Sequence, residues 1–527
     1  TDCISFQSSG YFSKLMQDYL DQKPELKPLY NNFPNLENFE KQIAEKSANF
    51  DHNNRTVLVA TLQKQYQNIE ASDLTKQNIS LLALENTFTI TTGHQLNLFS
   101  GPLYFLYKII STINLTKELK SKYPSYNFVP VYWMATEDHD FEEINYFNFK
   151  GKKIRWNAES TGPVGRLSTE GLEDLFEIYS QELGSSTNAN ALKKLFEDAY
   201  LKHENLADAT RYLANALFAS YGLVIIDADD ADLKRAFIPF IKEELENQTS
   251  FKKVQKSIEE LSAYTVQVNP REINLFYIED KLRERIIFEN DKYVVNNTKI
   301  SFSKEEIFKL LENNPEKFSP NVIMRPLYQE IILPNLCYIG GGGEIAYWLE
   351  LKAFFEAVNI TFPILLVRNS VLLATEKQVK KADNLNLTWK DLFSKSENLV
   401  NEITHKLSPF PIDLTPQREA LEKQFAYLFE LAEKTDKSFS GAVKAQEVKQ
   451  KKGLENLEKR LLKAQKRKLA DQLERVTDLQ CELFPNNSLQ ERQANFSEFY
   501  LERGEQLIPL LIQKLKPLEH NFDIIII

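Results

Sequence analysis

The sequence predicts an α/β fold with a doubly wound parallel sheet and a separate helical coiled-coil domain. Strand-like apolar segments alternate with helical segments up to about residue 375, and this order favours a parallel sheet with helices on both faces. Beyond that point the β-branched runs give way to segments rich in Lys, Glu, Gln and Leu, which is typical of long helices. Residues 488–527 then return to a helix and a final strand.

The first elements of the sheet form a strand–helix–strand unit. After helical spacing over residues 11–85, the run NTFTITTG predicts a short buried strand. The segment GPLYFLYKIISTINLTKELKSKYP predicts a helix with Pro102 in its first turn, and NFVPVYWMAT predicts the next strand. Such a unit has parallel strands and a right-handed crossover.

Three further segments predict strands, and two others predict insertions on the sheet. The strands are YGLVIIDADD (221–230), LCYIGGGG (336–343) and FPILLVRNS (362–370). Residues 147–166 and 264–302 contain the short runs of β-hairpins. Cys337 falls within one of the strands, so we expect it to be a core residue.

A helical hairpin is predicted for most of residues 376–480. Leu454, Leu457, Leu461 and Ala464 follow alternating three- and four-residue steps, the spacing of a coiled-coil seam. Gly441 and Gly453 are the candidate turn positions. The segment LFPNNSLQER should end the helical region, since it combines Pro, Asn and Ser.

Composition excludes several classes of protein. The net charge of -10 argues against a general affinity for nucleic acid or for anionic membranes. Three cysteines far apart in the chain argue against a disulfide framework and a cysteine-rich zinc site. The first ten residues, TDCISFQSSG, lack the pattern of a secretory signal, and every apolar run is far shorter than the ~20 residues that span a bilayer. We therefore expect a cytoplasmic protein.

The stretch TTGHQLN lies where the first strand should end. Ligands of parallel sheets bind outside the carboxyl ends of the strands, so the candidates here are Thr92, Gly93, His94, Gln95 and Asn97. Gly93 would let the backbone approach a ligand, and His94 could donate to a phosphate or carboxylate or relay a proton. The alternative is that Gly93 makes the turn and His94 caps the following helix.

The stretch EDHD follows the second strand. Asp138 and Asp140 could orient His139, bind an amine or hold Mg²⁺, and Glu137 adds a further carboxylate. A solvated loop that caps the next helix is the alternative. A tight zinc site is not expected, because no second histidine stands at ligand spacing.

Four consecutive glycines, Gly340–Gly343, join the next strand to a helix. Such a backbone nest can receive an anion or a carboxylate, although it matches neither G-x-G-x-x-G nor a phosphate-binding P-loop. The candidates are Gly341, Gly342, Gly343, Glu344, Tyr347 and Trp348. Glu344 could instead favour the helix dipole, and the two aromatic residues could be packing residues.

Arg368 and Asn369 end the last predicted strand of the sheet. An arginine at this position can clamp an anion, and a structural ion pair is the alternative. Together the strand ends could converge on one crevice. The chain shows no Ser-His-Asp motif, metalloprotease motif or nucleophilic cysteine context.

Five stretches taken together resemble one family, the cysteine-adding enzyme of bacillithiol biosynthesis. They are TTGHQLNLFSGPLYFLYKII, VPVYWMATEDHDFEEIN, YIGGGGEIAYWLELK, VRNS and LFPNNSLQER, and they keep the family's order. The resemblance implies a ligase that joins L-cysteine to glucosaminyl-malate by an amide bond in the last step of the pathway. It also implies a Rossmann-like core with connecting-peptide-type insertions and a coiled coil that supports a homodimer.

The core of that family is similar to class I aminoacyl-tRNA synthetases. On this similarity Gly93 and His94 match the end of the synthetases' H-x-G-H signature, whereas Thr91 replaces its first histidine. The chain has no convincing match to the synthetases' lysine–serine loop. The similarity implies ATP or another adenine nucleotide as a possible cofactor, whereas the two departures argue against direct adenylation in this crevice and leave the binding place of a nucleotide open.

The resemblance and the element order together predict seven segments. They are a first core half with N-terminal helices (1–146), an inserted connecting segment (147–220), a core strand and helix (221–250), a second inserted segment (251–320), the second core half (321–375), the coiled-coil domain (376–484) and a C-terminal helix and strand that return to the core (485–527).

Roles for the site follow from the chemistry of amide formation, which needs an activated carboxylate and an amine. His94, Asp138 and His139 are the catalytic candidates. We expect His94 and the helix after it to stabilise developing negative charge, Asp138 or Asp140 to hold an ammonium group, and Gly340–Gly343 to receive a carboxylate. The alternatives are a non-catalytic, nucleotide-binding assembly factor with a coiled-coil interaction domain, and a nucleotidyltransferase of the same fold.

Overall fold

The structure is a computed structural model that describes residues 2–527. The chain divides into two compact units. The first contains the residues up to Leu373, Leu489–Ile525 and Ile527, and the second contains Ala374–Ser488 and Ile526. None of the helices in residues 2–527 combines the length and the hydropathy of a membrane-spanning segment.

The strands have the following bounds: β1 Asp2–Ser5, β2 Thr87–His94, β3 Asn127–Met134, β4 Tyr146–Phe149, β5 Lys152–Arg155, β6 Val224–Asp227, β7 Leu275–Glu279, β8 Leu282–Glu289, β9 Lys292–Val295, β10 Ser301–Phe302, β11 Phe318–Pro320, β12 Asn335–Gly340, β13 Ile364–Val367, β14 Ser370–Ala374 and β15 Asn521–Ile526.

The α-helices of the first unit are α1 Phe6–Ser9, α2 Lys14–Leu20, α3 Asn38–Asn49, α4 Asn53–Gln65, α5 Asp73–Leu81, α6 Tyr104–Lys122, α7 Phe141–Ile144, α8 Leu172–Leu183, α9 Thr187–Phe196, α10 Leu206–Phe218, α11 Ala231–Asn247, α12 Thr249–Glu260, α13 Lys304–Asn313, α14 Met324–Ile332, α15 Gly342–Trp348 and α16 Lys352–Ala357. Those of the second unit are α17 Glu376–Asn384, α18 Trp389–Phe393, α19 Ser396–Leu407, α20 Thr415–Ala432, α21 Lys437–Lys468 and α22 Ala470–Leu483. The first unit then ends with α23 Gln490–Gln493, α24 Phe496–Arg503 and α25 Leu507–Lys514.

A parallel sheet with the order β13-β12-β2-β3-β6 forms the centre of the first unit. The chain runs outward from β2 through β3 to β6 and then returns to place β12 on the other side of β2. The strand order therefore reverses between β2 and β12, which is the switch point where open α/β sheets bind ligands. The α/β prediction and its five strands are confirmed.

The sequence explains why β2 lies in the middle of this sheet. Every residue of β2 is buried, and its β-branched side chains suit a strand covered on both faces. Ile90 packs in one core with Leu115 and Leu119 of α6 and Leu366 of β13. Pro102 lies two residues before α6 rather than in its first turn, because a short 3₁₀ turn, Leu98–Ser100, precedes it.

The predicted insertions are antiparallel, as expected of hairpins. Strand β4 pairs with β5 alone, and β7 to β10 join β11 in a five-stranded sheet with the order β10-β9-β8-β7-β11. A third sheet, β1-β15-β14, pairs the first strand with the last, Cys3 opposite Asp523. Cys337 is fully buried in β12, as predicted.

The second unit contains the predicted helical hairpin. Helices α20 and α21 run antiparallel, with Arg418 3.2 Å from Glu458 near one end and Lys451 2.9 Å from Glu422 further along. An apolar cluster of Phe425, Ala432 and Val443 packs near the turn. The predicted coiled-coil domain is thus present.

Two details of the hairpin prediction are wrong. Gly441 and Gly453 lie inside α21, and the turn falls before Asp436, whose side chain caps α21. Leu457 is 54% exposed and Ala464 is also exposed, whereas the neighbouring seam positions 454, 458, 461 and 465 are covered. Leu454 and Leu461 thus lie on the covered face as predicted, whereas the other two predicted positions are each one residue before a covered position.

Candidate active site

The switch point between β2 and β12 is occupied by a buried ion pair. The Nζ atom of Lys108, in the second turn of α6, lies 2.6 Å from Oε2 of Glu344 and donates to the carbonyl oxygen of Gly93 at 2.7 Å. The hydroxyl of Tyr338 donates to the other carboxylate oxygen of Glu344 at 2.8 Å. Helix α6 thus returns along β2 and places its one buried lysine at the carboxyl end of the sheet.

Burial and charge oppose each other in this pair. Burial alone would raise the pKa of Glu344, but the Lys108 ammonium and its hydrogen bond lower it below the usual value. Burial lowers the pKa of Lys108, and the Glu344 carboxylate partly offsets this. The carboxylate is therefore ionised at neutral pH, and each partner compensates the charge of the other.

The glycine run already holds a carboxylate from its own helix. The N–H group of Gly341 donates to Oε2 of Glu344 at 2.9 Å. A Cβ atom at Gly340 would lie 2.9 Å from Cβ of Glu344, and one at Gly93 would lie 3.3 Å from the hydroxyl of Tyr338. The glycines at these two strand ends therefore permit the close packing that places Glu344 beside Lys108.

His94 ends β2 with its imidazole buried. The ring lies 5.5 Å from the ring of Tyr104 and 5.0 Å from that of Phe105, and it hydrogen-bonds the backbone of Ser100. Burial, followed by the charge of Lys108, holds the pKa of His94 well below its usual range, so the ring is neutral at pH 7. Its buried Nε2 atom has no hydrogen-bond partner within residues 2–527.

The capping alternative for His94 is not observed. Helix α6 begins at Tyr104, and no side chain caps its first turn. The imidazole packs against that turn through ring contacts instead. A buried nitrogen without a partner in residues 2–527 thus lies at the carboxyl end of the central strand.

Arg325 of α14 is a half-buried cation of the same strand ends. Its guanidinium lies 6.0 Å from the ring of Trp133 and 5.7 Å from that of Tyr338, and it donates to Oε1 of Gln329 at 3.0 Å. The hydroxyl of Tyr347 is 3.5 Å from its Nη2 atom. In the described part of the chain, no carboxylate comes within 4.0 Å of this guanidinium, which leaves its charge available to an anion.

A buried network fixes Gln329 and therefore Arg325. Glu330 forms an ion pair of 2.9 Å with Lys46, both almost fully buried, and accepts from Gln329 and Asn335. Asn335 in turn accepts from the hydroxyl of Thr91 at 2.9 Å. Thr91, the residue that replaces the first histidine of the synthetase signature, thus faces the protein interior.

Glu137 belongs to a separate charged network at the ends of β3 and β6. Its carboxylate pairs with Lys234, whose Nζ atom is also 3.7 Å from Asp229. Arg166 donates to both oxygens of Asp229 at 2.8 Å. These charges compensate one another, and within residues 2–527 no cluster of His, Cys, Asp and Glu could hold a metal ion.

Arg283 is the nearest charged partner of the His139 imidazole, and Asp138, whose Oδ1 atom accepts from the His139 N–H group at 2.8 Å, lies 3.8 Å from the same ring nitrogen. The Nη1 atom of Arg283 is 2.7 Å from Nδ1 of His139, and burial and this positive charge lower the pKa of the imidazole. Asp138 accepts from Gln95 at 3.0 Å and is 3.9 Å from Arg283. Asp140 is exposed and makes no side-chain cap at the start of α7.

Gln95 and Asn97 join the end of β2 to helix α7. Gln95 donates to the side chain of Glu143 at 2.8 Å as well as to Asp138, and Asn97 donates to the carbonyl oxygen of Glu143 at 3.1 Å. Gln95 is therefore the residue that connects the TTGHQ and EDHD stretches. The structure places them on neighbouring strand ends.

Three candidates lie inside the protein and hold elements together. Thr92 donates to the carbonyl oxygen of Ile339 at 2.7 Å, and Trp348 is fully buried. Asn369 accepts from Ser111 at 2.9 Å. All three are less than 5% exposed. Trp348 is therefore a packing residue, which was the alternative to a role in ligand binding.

A cavity of about 150 Å³ opens beside the glycine run. Its walls include the residues before and within α2, the glycines Gly341, Gly342 and Gly343, and the side chains of Arg368, Glu491 and Arg492. Arg368 makes a two-pronged pair with Glu491, at 2.7 and 3.1 Å, so the predicted alternative of a structural ion pair is observed.

Tyr104 connects this cavity to the switch point. Its ring contacts His94, and the guanidinium groups of Arg368 and Arg492 lie 5.0 and 6.0 Å from the ring centre. The TTGH, GGGGE and VRNS stretches therefore meet around one tyrosine, whereas EDHD reaches them only through Gln95.

Sequence reasoning missed several residues of this site. Lys108 carried a usable signal, because it is a lone lysine within the apolar stripe of α6. The sequence neighbours of Arg325 give no sign of a site. Arg492 is the last residue of LFPNNSLQER, a stretch that carries the family resemblance but was interpreted only as the end of the helical region. Their positions depend on how α14 and α23 pack within the first unit.

Family models match the whole chain. A model described as the N-terminal Rossmann-like domain of the bacillithiol biosynthesis protein BshC matches residues 1–369, and one described as its C-terminal coiled-coil domain matches residues 371–527.

Relatives match over the full length. A protein of Flavobacterium johnsoniae named "Putative cysteine ligase BshC" is 84% identical over 100% of both chains. The protein of the same name from Cytophaga hutchinsonii is 40% identical over 99% of this chain and 98% of its own. A solved chain from Campylobacter jejuni, named as an arginyl-tRNA synthetase, covers 83% of this chain and 96% of its own at 11% identity, and its TM-score of 0.19 supports no argument.

Proposed function

The chain belongs to the BshC family of bacillithiol biosynthesis proteins, and on this premise we propose that it is a ligase that joins L-cysteine to glucosaminyl-malate. The product is an amide, and the step is the last of the pathway. The observation that carries the proposal is the 84% identity, over both full chains, to a protein named as a cysteine ligase. The buried charges at the switch point are consistent with it.

The site offers what an amide-forming reaction of charged substrates needs. Both substrates carry a carboxylate and an amino group, and the amide forms between the carboxylate of cysteine and the amine of the sugar. Lys108 is neutralised by Glu344, whereas Arg325 has no acidic partner in residues 2–527. The guanidinium of Arg325 is thus an uncompensated positive charge at the switch point, and it favours the binding of an anionic ligand.

We propose two roles for side chains near that charge. His94 presents an unpartnered Nε2 atom, and its neutral imidazole can exchange a hydrogen bond or a proton with the reacting groups. Asp138 is held by Gln95 and remains partly exposed, so its carboxylate can accept the hydrogen bonds of the amino sugar's ammonium group.

An adenine nucleotide is the proposed source of activation. A free carboxylate does not form an amide with an amine in water without activation, and a bound nucleotide would supply it. The residues present fit a phosphate group, because the guanidinium of Arg325 lacks an acidic partner and faces the strand ends. Arg325 would hold that anion, and the buried network behind Gln329 would keep it in place.

The coiled-coil unit is proposed to form a homodimer. Tyr427, Val448 and Leu457 of its two long helices are 62%, 59% and 54% exposed. Apolar side chains that stay uncovered along a helical hairpin are typical of association surfaces.

The test is product formation by the purified chain. L-cysteine, glucosaminyl-malate and ATP are incubated with the protein, and bacillithiol is measured by mass spectrometry. We expect product in the complete mixture and none when ATP or the protein is omitted. No product with any adenine nucleotide would contradict a ligase that acts alone and would favour the non-catalytic assembly factor.

A further inference from the structure

The cavity beside the glycine run has one apolar wall and one charged wall. Phe12 and Met16 form the apolar wall with Leu489, and the opposite wall carries the charged side chains of residues 491 and 492 with Arg368. A Cβ atom at Gly342 would lie 3.2 Å from Cγ of Met16 and 3.8 Å from the ring of Phe12. Gly342 therefore borders the cavity at its apolar wall.

The charged wall has one cation more than it has carboxylates. Glu491 is engaged by Arg368 and by the N–H group of Val371. Arg492 is exposed and has no carboxylate within 4.0 Å among residues 2–527. The Nε atom of Arg368, buried and without a partner in the same residues, lies 3.8 Å from the Cβ position of Gly341. Two guanidinium groups thus face the cavity with unused donors.

The size of the cavity limits what it can hold. A cavity of about 150 Å³ accepts a molecule of about the size of benzene. L-cysteine is close to this size, whereas glucosaminyl-malate is far larger.

We infer that this cavity is the binding site for L-cysteine, with the carboxylate on Arg492 and the thiol against Met16 and Phe12. This inference rests on the proposed ligase function. A guanidinium is the preferred partner of a carboxylate, and thioether and aromatic groups are favourable neighbours of sulfur. The amide oxygen of Gln267, 3.9 Å from the Cβ position of Gly343, is placed to accept from the ammonium group.

Binding of L-cysteine alone tests the site without turnover. The full chain is titrated with L-cysteine in a calorimeter, under a phosphine reductant that keeps the thiol reduced, with and without ATP. Arg492→Gln should weaken binding at least tenfold, because it removes a charge-assisted hydrogen bond, and Arg492→Lys should retain part of the affinity. Arg492 is exposed, so neither variant should unfold the chain.

Gly342→Ala fills the cavity at its apolar wall. The residue lies in the first turn of α15 without a positive φ angle, so alanine causes no backbone strain, and the flexible Met16 side chain, 3.2 Å from the new Cβ atom, can accommodate it by a small shift. We expect weaker cysteine binding with an unchanged unfolding midpoint. Gly453→Ala is the matched control, because a Cβ atom there meets nothing within 4 Å, and it should bind cysteine like the parent chain.

The outcomes separate this site from the ligase function. Weakened cysteine binding in both cavity variants supports the site even if the complete mixture makes no product. If product forms and both variants keep the parent's Kd and KM for cysteine, the site is overturned and the ligase stands. The site is also overturned if the parent chain binds no cysteine with or without ATP, or if the variants raise only the KM for glucosaminyl-malate.

Discussion

The ammonium group of Lys108 lies 2.6 Å from a carboxylate oxygen of Glu344, and this contact joins α6 to α15 across the switch point. The lysine side chain is 4% exposed and the glutamate side chain 27%. Removing one member of a buried pair leaves the other charge without compensation.

We predict that Lys108→Met lowers the free energy of unfolding by about 3 kcal/mol. The double variant Lys108→Met, Glu344→Gln should recover part of this loss, since no buried charge remains uncompensated. Urea unfolding of the single and double variants gives the coupling energy. Lys152→Met is the control, because this lysine is 63% exposed and keeps its hydration when paired with Glu182, and it should cost less than about 1 kcal/mol. Equal effects at both sites would contradict the prediction.

Glu350 should make stability depend on pH near neutrality. Burial raises the pKa of this carboxyl to about 7, whereas the unfolded chain has a pKa of about 4.3. The folded state therefore binds the proton more tightly, so the stabilisation is present at acidic pH and is lost as the pH rises through 7. Unfolding midpoints at pH 5 and pH 8 should differ less in Glu350→Gln than in the parent chain. The exposed Glu272→Gln should leave the difference unchanged.

His94→Ala should lower product formation by about 100-fold or more if its Nε2 atom serves the reaction. In a strain that depends on this gene, bacillithiol should fall accordingly. Because the pKa of His94 lies well below 6.5, the loss should be the same at pH 6 and pH 8. Unchanged bacillithiol with intact protein levels would remove His94 from the mechanism.

Asp138→Asn should raise the KM for glucosaminyl-malate about tenfold, because the loss of a charged hydrogen bond has this size. The KM for cysteine should not change. Asp140→Asn is the matched control, since Asp140 is exposed and makes no cap. Identical KM values for Asp138→Asn and the parent chain would exclude an amine-binding role, and an effect of Asp140→Asn alone would move that role to Asp140.

A homodimer should be visible by light scattering as twice the chain mass of 61.1 kDa. Leu457→Lys, on the exposed face of α21, should shift the protein towards the monomer. Leu84→Lys replaces a leucine that is 48% exposed in the first unit, and it should leave the mass unchanged. A monomeric mass for the parent chain would contradict the proposed role of the coiled-coil unit.

Much of the fold could be predicted because single strands and helices are specified by the spacing of residues close together in the sequence. The β-branched run of β2 and the apolar stripe of α6 each identify their element from local spacing alone. The prediction from local spacing was wrong where a helix continues through glycine, a residue that often ends a helix. Gly441 and Gly453 lie inside α21, since the packing of α21 against α20 outweighs the cost of a glycine in a helix, about 1 kcal/mol each.

The sequence by itself determined which stretches end the strands of the sheet, and therefore that His94, Glu344 and Arg368 lie at one edge. Only the tertiary structure decided which charges there are already satisfied. Arg368 is neutralised by Glu491 and Glu344 by Lys108, whereas Arg325 and Arg492 keep a free charge. The physical reason is that each ion pair depends on the distance between two segments that are far apart in the chain. Strand order and helix packing set these distances, and no local sequence pattern encodes them.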